Sequence, residues 1–141
     1  VIIASKQALY EIPVASTSFL REAYWDGATS SIRFAYELEY GETPEYQIRE
    51  VQIKFRRPML LVTRAESFCR VEHIEGCYDT LVEVTPSAWL QSEYTEEVQT
   101  KARMKELHHY MIYLDSVGCF ELLAESFTVD ERAVSGSEVV Q

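Results

Sequence analysis

The stretch SSIRFAYELEY, residues 30–40, constrains the fold more than any other part of the chain. Ile32, Phe34, Tyr36, Leu38 and Tyr40 alternate with Arg33, Ala35, Glu37 and Glu39. Period two sustained over this length marks a strand with one buried face and one wet face. Asp26-Gly27 just before it is a tight-turn signal, joining it to a shorter strand near 18–24. GETPE at 41–45 reads as a loop. The chain therefore starts as hairpins, and hairpins make antiparallel neighbours.

The next run, YQIREVQIKFRR at 46–57, is a second long strand. Its apolar residues begin on even positions (Tyr46, Ile48) and move to odd ones (Val51, Ile53, Phe55). Such a phase slip predicts a β-bulge near Arg49-Glu50. MLLVT at 59–63 reads as a strand buried on both faces. SFCRVEHI reads as a strand, Glu75-Gly76 as a turn, and YDTLVEV as the return strand. Thr85 and Pro86 fit a helix cap and first turn. Leu90, Tyr94, Val98 and Ala102 then step by four, which predicts one main helix near 86–106. HHYMIYL and CFELLAESF are two further strands, and Gly118 suits a left-handed turn position between them.

The expected fold is α+β: a curved, mainly antiparallel sheet of about eight strands, with one main helix packed across a face. The 141 residues fit a single domain. Residues 1–127 form that domain, and 128–141, polar and rich in small residues, read as a C-terminal tail. A hydrophobic content of 47% is enough for a core, and nine tyrosines favour strands over helices.

The formal net charge of −10 sets the expected partners. Phosphate backbones and anionic membranes repel such a chain, so neither nucleic acid nor a membrane surface is expected. A basic protein is attracted from a distance. A homodimer is compatible with this composition. Three cysteines make an odd number without a paired framework, which reads as free thiols. The first residues lack the pattern of a signal peptide, and no run approaches the 18 or so apolar residues of a membrane span. A cytoplasmic location is expected.

Cys69, His73 and Cys77 are spaced four and four, half of a metal site on paper. On a strand, residues four apart lie about 13 Å apart, too far to share one ion. The reading preferred is half-buried thiols and a rim histidine, with no metal or other cofactor. His108 and His109 are neighbours, so on a strand they point to opposite faces. Either one, with Asp115 or Glu121 across the hairpin, would make an acid–base pair. The five scattered glycines contain no phosphate-binding loop.

Charge is unevenly placed. Glu37, Glu39, Glu42, Glu45 and Glu50 fall in a short span balanced only by Arg49. With Tyr40 and Tyr46 as aromatic anchors, Glu37, Glu39, Glu42 and Glu45 are the candidate docking surface for a basic partner.

Several phrases together, AYWDG at 23–27, GCYDTLVEV at 76–84, SAWL at 87–90 and HHYMIYLDSVGCFELLAES at 108–126, resemble a family of small single-domain bacterial proteins of unknown function. The resemblance covers roughly residues 18–127. It implies a stand-alone soluble domain and assigns no activity and no functional residues.

Two functions follow from these observations. The first is an acidic, non-catalytic interaction protein, such as an immunity-type inhibitor that plugs a basic enzyme's site. The alternative is a small-molecule binder or enzyme that uses the concave sheet face and a histidine–carboxylate pair.

Overall fold

A computed structural model describes residues 4–12, 18–25, 29–40, 45–93 and 106–134; for 18–25, 29, 37–40, 45–48 and 134 it describes the backbone alone. Nine strands lie among these residues: β1 (Ser5–Glu11), β2 (Ser18–Trp25), β3 (Thr29–Tyr40), β4 (Glu45–Arg56), β5 (Leu60–Ala65), β6 (Thr80–Thr85), β7 (His108–Leu114), β8 (Gly118–Ala124) and β9 (Ser126–Val134). Every ladder between named strands is antiparallel. They form two sheets rather than the single one expected. Sheet A has the order β1-β6-β7-β8-β5, and sheet B the order β2-β3-β4-β9.

One apolar core joins the sheets. Ile32, Phe34 and Tyr36 of β3 and Val51, Ile53 and Phe55 of β4 meet Leu81, Tyr110, Ile112, Leu114, Phe120 and Leu122 of sheet A. The alternation seen in the sequence causes this. Ile32 stands opposite Ile53 and Phe34 opposite Val51, so one face of the hairpin is apolar throughout its middle. Each such side chain, fully buried, contributes about 1.5–3 kcal/mol.

The phase slip in β4 has a different solution from the expected one. β3 and β4 pair from Thr29–Arg56 to Tyr40–Glu45 without a register shift, so there is no bulge at Arg49-Glu50. Arg49 takes a core-side position opposite Tyr36 and is neutralised by Glu131 of β9 at 3.4 Å. The Tyr36 hydroxyl donates to the same carboxylate, and the Tyr10 hydroxyl of β1 donates to its second oxygen at 3.2 Å. A polar clasp thus closes this end of the core and ties sheet A to sheet B. The register shifts occur elsewhere, between Ala8 and Tyr10 in β1 and between Leu20 and Glu22 in β2.

Other expectations need correction. The stretch from 128 is not a tail as far as 134, because β9 pairs with β4 from Ser126–Arg56 to Val134–Ile48. MLLVT is not buried on both faces: β5 is the edge strand of sheet A, with Met59 and Leu60 exposed. The stretch 67–74 is not a strand. A 3₁₀ turn (Glu66–Phe68) leads into a one-turn helix, α1 (Val71–Ile74). Side chains hold that helix at both ends. His73 Nδ1 accepts the Arg70 N–H at 2.9 Å, and Lys6 Nζ donates to Glu72 O at 2.6 Å. Near 87 the helix α2 spans Ala88–Ser92 and is capped by Ser87, not Thr85. The rest of the helix expected over 86–106 lies outside the described residues, apart from a 3₁₀ position at Glu106. The Asp26-Gly27 turn lies outside them as well. In the β7–β8 turn, Ser116 takes the left-handed conformation, with φ 64°. Gly118 also has a positive φ, 144°, and glycine is required there for a second reason: a Cβ would lie 2.0 Å from the Arg64 carbonyl oxygen of β5.

Candidate functional site

The face of sheet A turned away from the shared core carries the densest polar chemistry among the described residues. β7 alternates, sending Tyr110, Ile112 and Leu114 into the shared core and His109, Met111 and Tyr113 to the other face. The 3₁₀ turn packs on β5 and β8, while α1 and α2 pack on β7.

His109 is the centre of this face. Its Nε2 lies 2.9 Å from Glu121 Oε1 of β8, and its Nδ1 lies 2.7 Å from Ser87 Oγ. Trp89 meets the imidazole edge-on, with ring centroids 5.1 Å apart. An ionised Glu121 only accepts, so Nε2 carries the proton. Nδ1 then accepts the Ser87 hydroxyl, and Ser87 Oγ accepts the Leu90 N–H at 3.0 Å. Each group in the line has a partner of the right kind. Burial pushes the Glu121 carboxyl up, but the hydrogen bond from His109, with the positive charge of Arg64 and of His109 and His73 wherever they are protonated, outweighs burial and holds it below its ordinary value.

The composition is that of a nucleophilic relay, serine, histidine and carboxylate. The geometry is that of a pin. Ser87 and His109 are both buried. The Ser87 oxygen is committed to a helix N-terminus, where such a cap contributes about 1 kcal/mol. The line fastens α2 to sheet A.

Of the histidines and carboxylates singled out in the sequence, the structure brings together His109 and Glu121. His108 points to the other side of β7 and pairs with Glu83 of β6 at 2.7 Å. Asp115 lies in the β7–β8 turn, where its N–H donates to Asp79 Oδ1 at 3.1 Å. It takes no part in either histidine pair. Sequence reasoning missed Ser87 and Glu83. Ser87 had a signal, a serine directly before the apolar run AWL. Glu83 had none, since its value depends on the β6–β7 register, Glu83 opposite Tyr110.

Cys69 and Cys77 share a small apolar cluster with Cys119, Met111, Tyr113, Val82 and Ile74. All three cysteines are free. The Cys77 thiol donates to His73 O at 3.2 Å, and His73 Nδ1 is occupied by Arg70. Burial pushes the Cys77 and Cys119 thiols up, so both are poor thiolates. Among the described residues, no group of three or more His, Cys, Asp or Glu side chains is placed to hold a metal ion. The weak metal reading of Cys69, His73 and Cys77 gains nothing from this arrangement.

The acidic hairpin is described through its ladder. Glu37 pairs with Ile48, Glu39 with Tyr46 and Tyr40 with Glu45. Glu42 lies outside the described residues, and so do the side chains of the other five. Among the described residues, β2 pairs with β3 no further than Ser18–Tyr36, and β9 with β4 no further than Val134–Ile48. Among the described residues, the last three rungs, Leu38–Gln47, Glu39–Tyr46 and Tyr40–Glu45, have no neighbouring strand.

No helix among the described residues is long and apolar enough to cross a membrane. Compared with protein-family models, with curated proteins and with solved structures, the chain matches none.

Proposed function

We propose that this protein is an acidic, non-catalytic interaction protein that binds a basic protein partner through the end of the β3–β4 hairpin. An immunity-type inhibitor, offering carboxylates where a basic enzyme would hold an anionic ligand, fits this reading. The observation that carries it is the β3–β4 register, which runs to Tyr40–Glu45, beyond the last described rung of either flanking ladder. It carries Glu39 and Glu45 there and Glu37 on the rung opposite Ile48, with Glu42 between the two strands in sequence. The net charge of −10 favours encounter with a positively charged surface. Three free thiols support action in a reducing compartment such as the cytoplasm.

The test is native mass spectrometry on the tagged chain, purified gently from its own cell. A co-purifying basic protein is expected, with binding that weakens as salt rises. Reversing the charge at Glu37, Glu39, Glu42 and Glu45 together should abolish it. Binding that survives all four Glu→Lys changes would refute this reading.

The 2.9 Å His109–Glu121 contact favours a second reading, a small-molecule or catalytic site on the outer face of sheet A. It is the weaker one, because His109 and Ser87 are buried and already satisfied. A bound small mass in the same spectrum, lost in His109→Ala, would promote it.

A further inference from the structure

A sheet edge presents unpaired backbone groups, and natural proteins blunt it with bulges, charges or short length. Among the described residues four strands are edges, and three of them carry a bulge or several charges. β1 has the register shift between Ala8 and Tyr10, and Lys6 and Glu11 near its ends. β2 has the shift between Leu20 and Glu22. β9 carries Asp130, Glu131 and Arg132 in succession. β5 is different. It is short, at six residues, but it pairs with β8 from Leu60–Leu123 to Ala65–Gly118 with no shift, and its only charge is Arg64.

Three exposed large hydrophobic residues, Met59, Leu60 and Phe68, lie at or beside this edge, since the 3₁₀ turn that carries Phe68 packs on β5 and β8. Val71 and Tyr78 are the other exposed large hydrophobic residues among those described. Met59 stands just before β5, Leu60 in it, Phe68 in the 3₁₀ turn that follows and Val71 at the start of α1. Phe68 is 75% exposed and Val71 70%. The charge here also departs from the rest of the chain. Residues 59–71 hold Arg64 and Arg70 against Glu66, a balance of +1, in a chain whose total is −10.

We propose that β5 is the interface of a homodimer. Two copies of β5 pair antiparallel about a twofold axis and join their sheets A into one continuous sheet. Met59, Leu60 and Phe68 cover the flanks of the seam. A second copy fits better than a foreign strand for two reasons. Antiparallel pairing about a twofold satisfies both unprotected edges at once and closes the assembly. The β5 region is also nearly neutral, with two cations against one anion over residues 59–71, so two strongly acidic chains meet there with little like-charge repulsion. A six-residue edge is about 20 Å long. Pairing of that length alone falls short of the roughly 1,200–2,000 Å² of a stable interface, so the exposed apolar side chains are a required part of it. This inference does not depend on the acidic hairpin.

Sedimentation equilibrium of the purified chain, without any partner, tests it. The expected mass is twice the 16.3 kDa of one chain. Leu60→Lys, at an exposed edge position, should give the monomer with an unchanged circular dichroism spectrum. Phe68→Ser should weaken association by about tenfold or more, the value of one buried phenyl ring. Phe68 is so exposed that this change should leave the monomer's fold intact, which keeps the test decisive if Leu60→Lys misfolds. A wild-type chain that stays monomeric at every concentration overturns the proposal. So does a dimer that neither substitution weakens.

Discussion

His108 and His109 each hold a glutamate at hydrogen-bond distance, 2.7 Å to Glu83 and 2.9 Å to Glu121, from opposite sides of one strand. The chemistry is the same and the surroundings are not. The His108 side chain is 43% exposed, whereas that of His109 is 7% exposed. His108 has one polar partner among its described contacts and lies near Tyr110, with ring centroids 5.9 Å apart. His109 has Ser87 on its second nitrogen and Trp89 against its edge. In water an ion pair exchanges one set of good partners for another, and little net energy remains. In the buried position no water replaces a lost partner, so each group depends on the others. Burial, not contact distance, decides which pair holds the structure together.

The largest expected effect comes from His109→Ala. It leaves a half-buried Glu121 carboxylate unpaired and the Ser87 hydroxyl without its acceptor, and it removes the ring against which Trp89 packs. Breaking a buried pair from one side costs about 3–5 kcal/mol when burial is complete. Glu121 keeps some access to solvent, so a loss of about 2–4 kcal/mol in urea unfolding is expected. A loss below about 1 kcal/mol, the range of exposed pairs, would erase the distinction between the two histidines.

Glu121→Gln sharpens the comparison through pH. The amide keeps the shape and still accepts from Nε2, but without a full charge, so the cost at neutral pH is about 1–2 kcal/mol. The wild-type carboxyl is held below its ordinary value of 4.5: burial pushes it up, and His109, His73 and Arg64 more than offset that. A depressed carboxyl contributes stability that is present above its unfolded value and lost as pH falls through its folded value. The stability gap between wild type and Glu121→Gln should therefore stay constant at neutral pH and close below 4.5. A gap that persists unchanged into acid would mean that the carboxylate charge is not what holds His109.

The two sides of β7 also show what the sequence makes legible. Alternation in β3 predicted the strand and the burial of Ile32, Phe34 and Tyr36, because period two follows directly from backbone geometry. Ala35, assigned to the wet face, is buried as well. Alternation also placed the two histidines on opposite faces before any partner was known. What failed depended on long-range pairing. Arg49 looked like evidence for a bulge because nothing local shows that Glu131, far along the chain, neutralises it. The stretch after 128 looked like a tail because alternating polar residues suit an edge strand as well as a loop. MLLVT looked doubly buried because an apolar run does not reveal whether its strand is central or at an edge. SFCRVEHI looked extended, and its short helix depends on Lys6 from the other end of the domain. Ser87 was readable as a cap in principle. Thr85-Pro86 drew the assignment two residues too early.

The smallest expected effect is also the most informative about the cause. His108→Ala removes a 2.7 Å contact, nominally shorter than the one at His109. If contact distance set the energy, it would cost at least as much. If burial sets it, Glu83 is simply rehydrated, and the loss is about 0–1 kcal/mol. A double-mutant cycle with Glu83→Gln isolates the pair from the packing of His108 near Tyr110. The coupling should be about 0.2–1 kcal/mol and should shrink as salt is added, because exposed charges are screened. A coupling of about 2 kcal/mol or more that salt does not move would show that this rim of the core is as dry as the outer face of sheet A, and the contrast between the two histidines would then have to be sought in Ser87 alone.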